Sequence, residues 1–125
     1  MDGGPHFLVV EDDADGEFLI GHALKRRFPG AAVRACRDAD DAVSVARSRS
    51  DWLGFVVHRA LDLDGIGIVR RLRAINERAI VVMVSGRDQR AAALAAGASH
   101  FIRYNDWSGL GALFDSSDET SSAPP

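Results

Sequence analysis

Apolar positions along the chain follow two alternating rhythms. Phe7-Leu8-Val9-Val10, Trp52-Leu53-Gly54-Phe55-Val56-Val57 and Ala79-Ile80-Val81-Val82-Met83-Val84 are short, unbroken apolar runs. Runs of that length suit strands covered on both faces in a parallel sheet. Between them, apolar residues return at helical spacing. Leu19, Ile20, Ala23 and Leu24 predict a helix from Ala14, with Lys25-Arg26-Arg27 complementing its dipole and Pro29-Gly30 ending it. A weaker strand is predicted over Ala32 to Cys36, then a second helix capped by Asp38 with Ala39, Ala42, Val43 and Ala46 as its buried stripe. Ile68, Val69, Leu72 and Ile75 mark a third helix. An alanine-rich helix runs to Ala96, and Gly97 suits its C′ position. A short strand over Ser99 to Arg103 follows. A last helical segment starts near Asp106, weakened by Gly109 and Gly111 by roughly 1 kcal/mol each relative to alanine.

Strands and helices thus alternate five times. Each connection is long enough for a right-handed crossover between parallel strands, so the pattern predicts one doubly wound α/β domain. The expected organisation is a Gly/Pro lead-in over residues 1–5, the domain over 6–114, and a tail or linker over 115–125. That last stretch is built of Ser, Asp, Glu, Thr, Ala and Pro, has little to bury, and is expected to be disordered.

Composition narrows the function without naming it. With 46% hydrophobic and 26% charged residues, the 125-residue chain is that of an ordinary globular domain. A net charge of -3 gives no reason to expect nucleic acid or an anionic membrane as a partner. The single cysteine, Cys36, excludes an internal disulfide and falls in a predicted strand, as a small core residue. The start of the chain lacks a basic region followed by a long apolar segment, and no stretch is long enough to cross a bilayer. A cytoplasmic protein is therefore expected.

The candidate chemistry lies where the first strand ends. Glu11, Asp12 and Asp13 follow the apolar run directly. Three adjacent carboxylates are tolerated beside a cation, or by solvation at the carboxyl edge of the sheet, where open α/β sheets bind ligands. The alternative is that Asp12 or Asp13 caps the next helix. Neither a Gly-x-Gly-x-x-Gly fingerprint nor a P-loop is present. His6, His22 and His100 are scattered and form no ligand cluster.

Four segments, taken together, resemble the receiver domain of two-component response regulators. They are Val9-Val10-Glu11-Asp12-Asp13, the Leu63-Asp64-Gly65 turn, Val84-Ser85-Gly86-Arg87, and Gly97-Ala98-Ser99-His100-Phe101-Ile102. The resemblance covers about Phe7 to Phe114. It implies a flavodoxin-like fold with a five-stranded parallel sheet in the order 2-1-3-4-5, helices on both faces, and the site at the carboxyl edge. Typical receivers accept a phosphoryl group on an aspartate ending the third strand, with Mg2+ held by an acidic pair after the first. Here the pair matches Glu11 and Asp12, the phosphate-contact hydroxyl matches Ser85, and the switch aromatic matches Phe101.

Two central positions depart. Counting back from Asp64-Gly65 places Val57 where the accepting aspartate belongs, and Tyr104 aligns with the family's lysine. Shortening the loop by one residue would place His58 there; otherwise His58 is expected in a loop at the mouth of the site. Arg103, next to Tyr104, is expected on the opposite face. The reading is therefore an atypical receiver, not an enzyme, that works through protein–protein binding and lacks aspartyl phosphorylation. It would bind Mg2+ at most weakly, through Glu11 and Asp12, with Glu11, Asp12 and Asp13 left as an acidic remnant whose main role is helix capping and solvation. Its partner would be a sensor kinase or output protein, met on a surface including Arg103, Tyr104 and Trp107, and homodimerisation stays open. Phe101 is expected to turn inward. Two alternatives stand beside this reading: phosphorylation at His58 or Asp62, and a flavodoxin-like module that binds a small ligand.

Overall fold

The first strand, β1 (His6–Glu11), is an inner strand of a parallel sheet, with β2 (Ala32–Cys36) on one side and β3 (Trp52–His58) on the other. Next come β4 (Ile80–Ser85) and β5 (His100–Arg103), giving the order β2-β1-β3-β4-β5. In this computed structural model, residues 4–58 and 65–115 are described, the side chains of 107 and 108 excepted. Four helices connect the strands: α1 (Ala14–Arg27), α2 (Ala39–Arg47), α3 (Gly65–Ile75) and α4 (Arg90–Ala96).

Alternation along each strand sorts the core into two layers. Leu8, Val10, Phe55, Val57, Met83 and Phe101 pack against buried residues of α2, α3 and α4. Phe7, Val9, Val56, Val82 and Val84 face Ile20, Ala23 and Leu24 of α1 and, beyond the sheet, Leu110 and Phe114. Each such side chain contributes about 1.5–3 kcal/mol through burial. The parity matters for the site, because residues opposite one another in parallel register share a face. Val10 pairs with Val57 in one layer, and Glu11 pairs with His58 in the other.

Helix ends follow local chemistry. The Asp13 side chain accepts from the Gly16 N–H at 3.0 Å and caps α1, and Asp38 does the same for α2 through the Asp41 N–H at 2.8 Å. Gly97 closes α4 in the left-handed region, with φ 117°. The Arg73 guanidinium joins this end of the sheet together. It donates to the carbonyls of Gly97 (2.9 Å), Asn76 (3.1 Å) and Ala79 (2.8 Å) and to Ser99 Oγ (3.1 Å).

Several boundaries differ from those predicted. Asn76 Oδ1 accepts from the N–H groups of Arg78 and Ala79, both at 2.9 Å. That turn holds Ala79 out of the strand, so β4 begins at Ile80 and extends through Ser85. β3 runs one residue past Val57 to include His58. After β5 the chain tightens at once into a 3-10 helix (Tyr104–Gly109), earlier than the predicted start near Asp106, and residues 110–115 are helical. Asp115, which the prediction placed in the tail, belongs to that helix and pairs with Arg27. The remainder of the tail and the loop holding Asp62 and Asp64 lie outside the described residues.

Candidate functional site

Glu11 is the last residue of β1 and is fully buried. A buried carboxylate is costly unless its oxygens are paired. Here Oε2 accepts from the Asp13 N–H at 3.2 Å, and Oε1 is hydrogen-bonded to His58 Nδ1. With the carboxylate as acceptor, Nδ1 carries the hydrogen. Space for the carboxylate comes from α1. A Cβ on Gly16 would stand 2.7 Å from the Glu11 Cδ, so only glycine lets the first turn of the helix approach this closely.

His58 is not a loop residue at the mouth of the site. It ends β3, is buried, and projects to the same face as Glu11. One face of its ring is covered by Tyr104, with centroids 4.6 Å apart and planes inclined by 16°. Tyr104 is half-buried, and its ring packs both against this cluster and against the layer behind it. The early 3-10 turn is what swings it there, instead of continuing a strand. Burial pushes the Tyr104 phenol above its usual pKa, and the negative field of Glu11, Asp13 and Asp15 adds to that.

Val57 points the other way, into the apolar layer with Val10, Met83 and Phe101, and is fully buried. It has no route to the acidic edge. Ser85, at the end of β4, is buried, and its Oγ accepts from the Arg87 N–H at 3.1 Å, closing the turn. Arg103 is exposed beside that turn and donates to the Gly86 carbonyl at 2.7 Å. Phe101 is turned inward at 3% exposure. Arg90 covers it, 5.4 Å above the ring, and donates to its carbonyl at 3.3 Å. The Trp107 side chain lies outside the described residues.

These positions decide what the edge can hold. Among the described residues, no group of three His, Cys, Asp or Glu side chains is placed to hold a metal ion. Mg2+ requires hard oxygen ligands in near-octahedral geometry. Glu11 is engaged with an imidazole and a backbone N–H, Asp13 with the start of α1, and β3 ends in nitrogen ligands. Among the described residues, Glu11 and Asp13 are thus engaged elsewhere, and His58 brings nitrogen where a hard cation prefers oxygen. The sequence reading missed Gly16 and the stacking of Tyr104 on His58. A signal was available for His58: it is the first polar residue after the β3 apolar run, as Glu11 is after the β1 run.

A five-stranded parallel sheet in this order, with a buried acid at the carboxyl end of β1, matches the receiver architecture. No protein-family model matches the chain. It is 33% identical over 109 residues to the transcriptional regulatory protein PrrA of Mycobacterium tuberculosis and of Mycobacterium bovis. The match takes in 82% of this chain and 46% of those proteins, so the chain spans about half the length of the curated relatives it matches. Among solved structures, a two-component response regulator from Clostridium difficile superposes with TM-score 0.80 at 15% identity, covering 96% of this chain and 100% of that one. An orphan response regulator of H. pylori gives 0.75 at 17%, covering 93% and 98%. The receiver domain of a Pseudomonas aeruginosa sensor histidine kinase, solved with magnesium in its active-site cleft, gives 0.72 at 21%, covering 90% and 95%. The chain belongs to the response-regulator receiver family and is a receiver domain of two-component signalling.

Proposed function

We propose that this receiver domain signals without an aspartyl phosphate, by presenting a fixed surface to a protein partner, either a sensor kinase or an output protein. The observation that supports this reading most directly is the residue ending β3. A carboxylate there would be the nucleophile, but the residue is His58, already bonded to Glu11 and covered by Tyr104. The neighbouring valine is sealed in the core. Phe101 is inward with Arg90 over its ring, which favours one packing over a phosphate-driven alternation between two. Arg103, exposed beside the β4–α4 turn, is offered as part of the partner-facing surface. The domain would have no enzymatic activity of its own and would act in the cytoplasm; among the described residues no helix is long and apolar enough to cross a membrane.

The test is intact mass after incubation with acetyl phosphate and Mg2+. The expected result is an unchanged mass. A stoichiometric gain of one phosphoryl group, labile to hydroxylamine and mapped to a carboxylate such as Asp62, would overturn the proposal.

A further inference from the structure

We propose that His58, and not Val57, occupies the position of the family's third-strand carboxylate in this chain, and that its ring closes the acidic edge to divalent cations. The inference rests on the reading above that the domain lacks an aspartyl phosphate, and it assigns the residue responsible.

β1 and β3 run parallel, with Val10 beside Val57 and Glu11 beside His58. A side chain at 57 enters the layer of Leu8, Phe55, Met83 and Phe101, on the far side of the sheet from Glu11. A side chain at 58 emerges among the groups that would ligate a cation. Counting back from Asp64-Gly65 at the family's spacing reaches 57, so the connection from β3 to α3 is one residue shorter here. A loop absorbs a one-residue deletion at little cost. A strand does not, because a one-residue slip would exchange Val57 and His58 between the apolar layer and the acidic edge.

Ligand chemistry completes the case. A hard cation at this edge would need oxygens from Glu11, from Asp12 and from the end of β3. His58 offers a nitrogen instead, and its Nδ1–H engages an oxygen of Glu11. The other oxygen faces the Asp13 N–H. Tyr104 lies flat against the imidazole and keeps the ring from swinging away. Gly16, pressed against the carboxylate, leaves it no space to retreat towards α1. The histidine thus withdraws one ligand and occupies a second.

The experiment is a titration of three variants and the wild-type chain with MgCl2 alone, followed by calorimetry and amide NMR, with thermal melts to establish folding. The wild type is expected to show no saturable binding in the millimolar range. His58→Asp should bind at least about tenfold more tightly, since ligand charge count sets affinity at such sites. Val57→Asp should bind no better than the wild type and should melt lower, because its carboxylate enters the apolar layer. His58→Asn, which supplies a neutral oxygen, should gain a few-fold and decides the matter if the aspartate variant does not fold. Tighter binding by Val57→Asp, or unchanged binding by a folded His58→Asp or His58→Asn, would overturn the assignment. A wild-type chain that takes up phosphate on a carboxylate would instead overturn the functional reading, which is read out separately by mass.

Discussion

Replacing Gly16 with alanine sets two effects of opposite sign against each other. On an unobstructed helix, glycine to alanine gains up to about 1 kcal/mol. In α1 the new Cβ would stand 2.7 Å from the Glu11 Cδ, well inside van der Waals contact. The carboxylate must then move by several tenths of an ångström or more, and it is fully buried between His58 Nδ1 and the Asp13 N–H. A hydrogen bond to a charged group contributes about 1.5–3 kcal/mol, and breaking a buried charged pair costs about 3–5 kcal/mol. Partial disruption, offset by the helix gain, leaves a net loss of roughly 1–3 kcal/mol. For a chain of this size that lowers Tm by about 3–12 °C. Urea and thermal melts of the variant measure it. Gly21→Ala is the control, because nothing lies within 4 Å of an added Cβ there, and it should stabilise the domain by a fraction of 1 kcal/mol. Combining Gly16→Ala with Glu11→Ala removes the collision, so the double variant should be more stable than the sum of the single losses allows. A Gly16→Ala protein as stable as the Gly21→Ala control would refute the packed Gly16–Glu11–His58 arrangement.

Arg73→Ala should cost about 2–4 kcal/mol in urea unfolding, because it removes a guanidinium bonded to three carbonyls and a hydroxyl. Arg73→Lys should recover less than half, since one ammonium cannot match that fork, and full recovery would count against the clamp. The Cys36 thiol is buried, and burial together with nearby Asp41 pushes its pKa up to about 12. Alkylation at pH 8 should therefore track global unfolding, and fast labelling of the native domain would contradict the burial. The same shift has a sign for stability: the unfolded thiol loses its proton first, so this contribution is complete below the unfolded value of 9.0 and declines as pH rises towards 12. A Cys36→Ala variant should lose that alkaline decline, read from melts between those pH values.

The strands and helices were legible because each buried element advertises itself locally. Unbroken apolar runs mark β1, β3 and β4, and Asp38 and Gly97 mark helix ends through chemistry that needs no distant partner. What lay hidden was set by pairing between distant segments. Counting from Asp64-Gly65 put Val57 at the edge, but the depth of a strand in a sheet is fixed by its neighbours, and β1 places His58 there. Tyr104 was read only as the residue at the family's lysine position, on a partner-facing surface, with no contact foreseen. The chain turns into a 3-10 helix directly after β5, and the ring finds a buried imidazole that comes from β3, far away in sequence. Gly16 left no trace in a hydrophobic pattern, because its role is the absence of a side chain beside Glu11.

On the function proposed above, this receiver lacks a working phosphoryl site, because its edge is occupied by His58, Glu11 and Tyr104. Beryllofluoride with Mg2+ mimics a phosphoryl group on a carboxylate and reports on such a site without any chemical turnover. Amide NMR spectra of the domain recorded with and without that pair are the most direct measurement. The account predicts that the signals of Ser85, Phe101 and Arg103 stay in place. Saturable shifts at those residues, abolished by removal of Mg2+, would contradict it.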